Sequence, residues 1–385
     1  MNKTISELKN TLMSFTKKIF SFITKPSRKQ KNSYFNFLRT MVAIFIALAI
    51  SLVILLFVSD NPFFAFKTLL FSPFKNKFWI GEILRGAVPL IFAGVAASIM
   101  LKCGQFNMIG EGSFYIGGLV GALVAIYLPV NSFIAVLIAC IVAIIVTAIF
   151  GFVPAILKAK LNVNEFVVSL MLNFIMLWVG LYFLQNYFRD ESSGDIATEL
   201  IPNTNRFGIL IDGTYLSTGI IVALIVVIIS AIFLYKTRYG YTIRLTGNNK
   251  NFAKFSGLSA VSAIIYSQVI GSAIAGLGGA VEILGGMDGR FSWKALPGYG
   301  FDGFIVAILA SNNPILVPIA ALFLSYLRTG ATLMSIQTDV ASELIQVIQA
   351  IIIIIVAGQA FMLKYRNKIF NKSDKAILMN NGEVK

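Results

Sequence analysis

Carboxylates are the main candidates for chemistry in this chain. It contains no histidine, which excludes histidine proton relays, histidine-ligated metals and Ser-His-Asp nucleophilic catalysis. Its cysteines, Cys103 and Cys140, lie at or inside apolar runs without CxxC spacing, so they read as packing residues rather than a disulfide or thiolate metal site. No segment matches G-x-x-x-x-G-K-(S/T) and no loop can hold an ATPase domain, so the chain has no ATP-hydrolysing site of its own. The carboxylates sit mostly at the ends of apolar runs. Glu82 and Arg85 are three residues apart and can pair on one helix face, while Glu165, Asp339 and Glu343 open other runs. Glu111 and Asp302 also stand at run starts, where a carboxylate can accept from exposed backbone N–H groups and complement a helix dipole. Glu282 lies deeper, within Gly271 to Gly285. Ion- or proton-carrying groups belong nearer the middle of a span, so this distribution weighs against gradient coupling.

The second group is basic. Arg244 to Gly257, read as RLTGNNKNFAKFSG, lies between two long apolar runs, with no acidic residue from Lys236 to Ser259. A membrane protein places such a loop on the cytoplasmic side. Ala253, Phe255 and Leu258 can form one face of a short helix lying against a cytoplasmic motor, with Gly247 and Gly257 giving backbone freedom at its ends.

The elements that position these groups are transmembrane helices. Hydrophobic residues make up 57% of the chain and charged residues 13%, which is the composition of a polytopic membrane protein. The net charge of +15 is gathered at span ends and in the tails, so it reports topology rather than nucleic-acid binding. Apolar windows predict an all-α bundle of about ten spans, beginning near Met41, Glu82, Gly112, Ser132, Val163, Thr214, Leu258, Gly300, Pro314 and Val340. Lys102, Lys158 to Lys160, the 236–258 loop and the tail 364–385 fall inside. The 189–213 segment, with five acidic residues and two arginines, falls outside, so both termini are cytoplasmic. Residues 1–39 form a basic extension, read as a surface amphipathic helix or a tail, and 40–363 form the membrane domain. Ser311-Asn312-Asn313-Pro314 splits Phe301 to Leu327 into two pieces, each short for a crossing. The ten spans divide into two five-span halves with Gly-interrupted third spans, Gly104 to Gly121 and Gly285 to Gly303, as an internal repeat would have. Gly271, Ala275 and Gly279, four residues apart, equally suit close helix packing.

Several blocks together resemble the permease subunits of bacterial ABC importers for simple sugars and nucleosides, specifically the nucleoside branch. Asn164, Glu165, Ser169, Leu170, Met171, Leu172 and Asn173 match N-E-x-x-x-(S/T)-L-M-L-N throughout. Phe106, Asn107, Met108, Ile109, Gly110, Glu111 and Gly112 are similar to the family's F-N-I-G-x-E-G, with Ile109 where glycine is usual. Arg244, Gly247, Asn249, Ala253, Lys254 and Gly257 resemble its cytoplasmic loop, with Leu245 and Phe252 in place of alanines. Ala275, Gly276, Gly279, Ala280 and Glu282, and Gly300, Phe301, Asp302, Ile305, Val306 and Ala307, are similar to two further runs. The resemblance covers residues 80 to 360.

The resemblance implies a permease in the bacterial inner membrane. Its partners would be a second permease subunit in a heterodimer, ATP-binding subunits that use ATP and Mg, and an extracytoplasmic substrate-binding lipoprotein. No cofactor would be bound directly. The mechanism would be alternating access, with Arg244, Gly247, Asn249, Ala253, Lys254 and Gly257 coupling to the ATPase. Asn107, Glu111, Asn164, Glu165 and Asn173 are the candidate substrate-pathway residues. The alternatives are a sugar or branched-chain amino-acid permease of the same superfamily, or a gradient-driven carrier or channel.

Overall fold

The computed structural model describes residues 46–57, 59–129 and 133–341, with positions 344, 347–348, 350–351 and 354–355. The expected basic extension, the C-terminal tail and Glu343 lie outside the described residues, as does most of the span expected from Val340. The described residues fall into two compact units, one taking those up to Ile54 and from Ala350 onward, the other Leu55–Gln349. Helix α1 is Ile46–Phe57; within the first unit Ser51 Oγ donates to Ala47 O at 2.8 Å.

Helices are the regular elements of the second unit among its described residues, apart from an isolated bridge between Ile209 and Ser217. Its helices are α2 (Pro62–Phe71), α3 (Lys77–Lys102), α4 (Gly110–Tyr127), α5 (Phe133–Leu161), α6 (Glu165–Tyr187) and α7 (Gly219–Lys236). They continue with α8 (Arg238–Asn248), α9 (Lys250–Phe255), α10 (Ala260–Gly285), α11 (Tyr299–Leu309) and α12 (Val317–Gln337). Seven of the described helices, α3 to α7, α10 and α12, are long and apolar enough to cross a membrane. Their starts lie within five residues of the expected ones, and at three of them a side-chain cap sets the start. Asn76 accepts from Phe78 N at 3.2 Å and so starts α3 before Glu82. Ser259 accepts from Ser262 N at 3.2 Å and starts α10.

The centre of the bundle is built from α3, α4 and α10, with α5 against α10. Nearly every residue of α3 from Ala87 to Met100 is buried. Small residues let these helices close on one another: a Cβ on Gly279 would strike Phe114 O, one on Gly276 the Thr147 side chain, and one on Gly271 Met100 and Ala96 O. The close-packing reading of Gly271, Ala275 and Gly279 therefore holds. The outer helices instead expose large apolar side chains in stripes: Ile141, Ile145 and Ile149 on α5, Met171, Phe174 and Trp178 on α6, and Leu224, Ile225 and Ile228 on α7. Such stripes are stable only against lipid or another apolar surface.

The region from Gly300 to Gln337 differs from expectation in one half. Helix α11 is short, as expected, at 11 residues. It ends where Ser311 and Asn312 take φ of 54° and 56° and Asn312 N donates to Ala307 O at 2.7 Å. Helix α12, expected to be short as well, runs for 21 residues through Arg328, Thr329 and Gly330. Those residues do not interrupt it because their polar groups are satisfied. Arg328 pairs with Asp302 at 2.5 Å, Thr329 Oγ1 donates to Ser325 O at 3.0 Å and Thr332 Oγ1 to Arg328 O at 3.0 Å.

Candidate functional site

Three of the five candidate pathway residues converge on the break between α3 and α4. Gly104, with φ of 72°, turns the chain out of α3. Asn107, fully buried, then donates from Nδ2 to Gln268 Oε1 on α10 at 2.7 Å and accepts Ile109 N at 2.8 Å. Gln268 continues to Gln105 Oε1 at 3.4 Å. From α6, Asn173 donates to Met108 O at 2.8 Å and accepts Gly112 N at 3.0 Å, while Ser169 Oγ accepts Met108 N at 2.9 Å. The motif residues Ser169 and Asn173 thus supply the partners that an irregular segment inside a bundle requires.

Glu111 stands at the start of its own helix, but its buried carboxylate serves another one. It accepts Gly298 N and Gly300 N at 2.5 Å each, and Phe301 N at 3.3 Å, so it caps α11 across the bundle. A carboxylate at a helix N-terminus meets the positive end of the dipole and makes charge-assisted bonds. A Cβ on Gly303 of α11 would strike Ala93, which places this capped end beside the middle of α3.

The other two candidates lie at the start of α6, where Glu165 reaches the edge of that knot and Asn164 does not. Asn164 is exposed and caps α6 through Phe166 N at 3.0 Å. Glu165 pairs with Lys158 Nζ at 2.8 Å and accepts Phe106 N at 3.4 Å. Among the other carboxylates, Arg85 holds Glu82 at 3.1 Å, as the spacing predicts, and reaches Glu282 at 3.7 Å. Asp302 faces Arg328 rather than its own helix end. Asp339 accepts Ser59 Oγ at 2.6 Å and Asp60 N at 2.7 Å, bonds that hold its carboxyl below the usual carboxylate range. Sequence reasoning missed Gln268, Gln105 and the Lys158, Glu282 and Arg328 partnerships. A glutamine in the middle of an apolar run was the available signal for the first.

The basic loop folds as two short helices meeting at Asn249. Its N–H donates to Leu245 O at 2.9 Å, ending α8, and its Oδ1 accepts Phe252 N at 3.0 Å, starting α9. Ile243, Thr246 and Ala253 face inward. Phe252 and Phe255 face out, Phe255 with 90% of its surface free. This corrects the expected face: Ala253 packs inward, Leu258 is half-buried, and Phe252 stands beside Phe255 instead. Gly257, with φ of 75°, supplies the expected freedom, since Leu258 N bonds Ala253 O at 3.0 Å and Gly257 N bonds Lys254 O at 3.1 Å to close α9. Gly247 does something else. It sits in ordinary helix, and a Cβ there would strike Lys102 O, so its missing side chain lets α8 cross the end of α3. Arg244 lies over Tyr235, with Cζ 5.3 Å from the ring centre.

A segment on the other side of the bundle is tied down by ions. Asp190 meets Arg290 at 3.8 Å, and Asp195 pairs with Lys294. The Ser192 hydroxyl holds the Asp190 carboxyl below the usual range, and Lys294 does the same for Asp195.

No solved structure matches the chain significantly. The chain is 32% identical to the nucleoside ABC transporter permease protein NupB of Lactococcus lactis, covering 82% of this chain and 89% of NupB. It is equally 32% identical to the guanosine ABC transporter permease protein NupP of Bacillus subtilis, covering 83% and 92%. It is 30% identical to the glucose ABC transporter permease protein TsgB13 of Haloferax volcanii, covering 85% and 88%. The family model described as branched-chain amino acid transport system / permease component matches residues 79–357, nearly all of the helical unit described above, and the chain belongs to that family of ABC permeases.

Proposed function

We propose that this chain is the membrane permease subunit of an ATP-driven importer and forms the path for nucleosides by alternating access. The observation that carries the reading is the 32% identity, over more than four fifths of the chain, to permeases named for nucleoside and guanosine transport. The energy comes from partner ATP-binding subunits using ATP and Mg. They dock on α8 and α9 through Phe252, Phe255 and Lys254, where exposed aromatic side chains form an anchor and basic groups a rim. Gly247 lets α8 lie against the end of α3, Asn249 and Gly257 cap α9, Ala253 packs inward and Arg244 lies over Tyr235, so the docking face is held in place. A second, different permease subunit completes the path, and an extracytoplasmic binding lipoprotein delivers the solute.

The chain lies in the bacterial inner membrane with ten spans in two related halves, both termini inside and 189–213 outside. Single-cysteine labelling tests this: a cysteine at Ser193 is expected to react from outside and one at Asn249 from inside. Asn107, Glu111, Asn164, Glu165 and Asn173 frame the pathway, and the extension Met1 to Lys31 is dispensable for uptake. A neutral solute fits a bundle whose charges are matched internally, as Arg85 is with Glu82 and Glu282, Lys158 with Glu165 and Arg328 with Asp302.

The deciding experiment reconstitutes the whole complex in proteoliposomes. Labelled nucleoside is expected to enter only with ATP and the binding protein, and unlabelled nucleoside to compete better than ribose or leucine. Uptake without ATP would reverse the assignment to a gradient-driven carrier. A sugar permease is the second reading, favoured by the 30% identity to the glucose permease, and better competition by glucose or ribose would establish it.

A further inference from the structure

Between α10 and α11 the chain runs without helix from Gly286 to Gly298. Part of this stretch is fastened to residues 198–207: Thr198 N donates to Phe291 O at 3.0 Å, Ile201 N to Gly289 O at 2.8 Å, and Arg206 to Gly286 O. The stretch forms the mouth of a cavity of about 180 Å³ at this end of the bundle, whose polar wall is Arg85, Glu282, Asp288 and Arg290 and whose apolar wall is Trp293, Ile283 and Met287.

The wall chemistry narrows the occupant. With Glu82 and Asp190 behind the two arginines, the wall carboxylates Glu282 and Asp288 leave no excess positive charge, so the cavity does not select an anion. It offers both donors and acceptors. Arg85 keeps about a third of its side chain free while pairing with Glu82 and Glu282, and Arg290 is similarly half-held by Asp190. Trp293 adds a flat apolar surface, braced by Phe291 with ring centres 5.4 Å apart and by Phe114 at 6.2 Å. The volume lies below the ~300–1,000 Å³ of sites that enclose a whole small ligand, so one ring system of a solute fits and the rest stays outside. A flat ring with donors and acceptors on its edge matches every wall.

We infer that this cavity is a subsite for the base of the solute, stacked on Trp293 and hydrogen-bonded by Arg85, Glu282, Asp288 and Arg290. The inference rests on the nucleoside-import reading. Stacking on an aromatic side chain tolerates different bases, which suits a path that several nucleosides use.

Trp293 is one of three tryptophans, so replacing Trp79 and Trp178 by Phe leaves it as the permease's own reporter. In the permease–ATPase complex, adenosine is expected to change Trp293 emission saturably and ribose at the same concentration to leave it unchanged. In proteoliposomes of the whole complex, Trp293→Ala is expected to lower ATP-dependent adenosine uptake about tenfold, with Trp293→Phe restoring most of it. If wild type imports adenosine while Trp293 emission is unmoved, or responds equally to ribose, the subsite is refuted and the transport reading stands. If wild type imports ribose and not adenosine, both readings fall.

Discussion

The α3–α4 break and the α8–α9 pair are both polar, glycine-marked interruptions between long apolar helices, yet they dispose of their side chains in opposite ways. At the break, Asn107, Glu111 and Asn173 are buried and bonded to backbone or to Gln268. At α8–α9 the polar residues cap two short helices and leave Phe252 and Phe255 uncovered. The buried polar groups of the first region are matched within the chain, whereas the second leaves its most exposed apolar side chain, Phe255, to be covered. Motif residues of similar type can thus serve the fold in one place and a partner in another, and the side chains left over tell which.

If that contrast is right, damage at the break and at the inward side of α8 should appear in the isolated permease, and damage at the outward face of α9 only in the complex. The largest effect is expected from Asn173→Ala, which strands Met108 O and Gly112 N. A loss of about 2–4 kcal/mol should be visible as a lower unfolding midpoint in detergent, together with lost uptake. An unchanged midpoint would remove the break from the structural category. Next, Gly247→Leu drives a side chain into Lys102 O and should cost about 1–3 kcal/mol. ATP hydrolysis is expected to persist while uptake is lost, because α8 is lifted from α3; normal uptake per ATP would refute that role. Phe255→Ala should leave the permease's unfolding unchanged and weaken ATPase-subunit binding about tenfold, measurable by titration in nanodiscs. Equal binding would mean that the exposed face belongs to something other than the ATPase.

The smallest effect concerns the ionic tie of the 189–213 segment. Asp190 and Asp195 have carboxyls held below their ordinary range by the Ser192 hydroxyl and by Lys294. A depressed folded-state pKa contributes stability above the unfolded value of about 3.9 and loses it as pH falls through the lower folded value. Hydrogen exchange of amides 190–198, corrected for intrinsic rates, should therefore stay constant from neutral pH to about pH 5 and rise only below about pH 4. A rise already near pH 6 would contradict the assignment.

Much of this arrangement could be read from local signals. Helix starts were legible to within a few residues because apolar windows mark the spans, and the remaining shift at α3 comes from the Asn76 cap, which lies before the apolar run. The close packing of Gly271 and Gly279 was legible because four-residue spacing defines a helix face. What escaped depended on distant partners. Helix α12 continues through Arg328 because Asp302 meets it from another helix, and no local window holds both. Glu111 was placed at a helix start, but the N–H groups it accepts lie about 190 positions away in the chain. The outward face of α9 was misassigned at Ala253 because a six-residue helix gives too few turns to define a face without knowing what it lies on.

The length of α11 bears on how the protein is made. Its 11 residues fall short of the ~20 apolar residues that partition into a bilayer as an independent span, and it carries Asp302 in its first turn. Such a segment is not expected to partition into lipid as a span on its own, and the Arg328–Asp302 pair and the Glu111 cap make its burial depend on α12 and α4. A chain truncated before Arg328 is therefore expected to leave α11 unpacked, read as faster proteolysis of that segment in membranes.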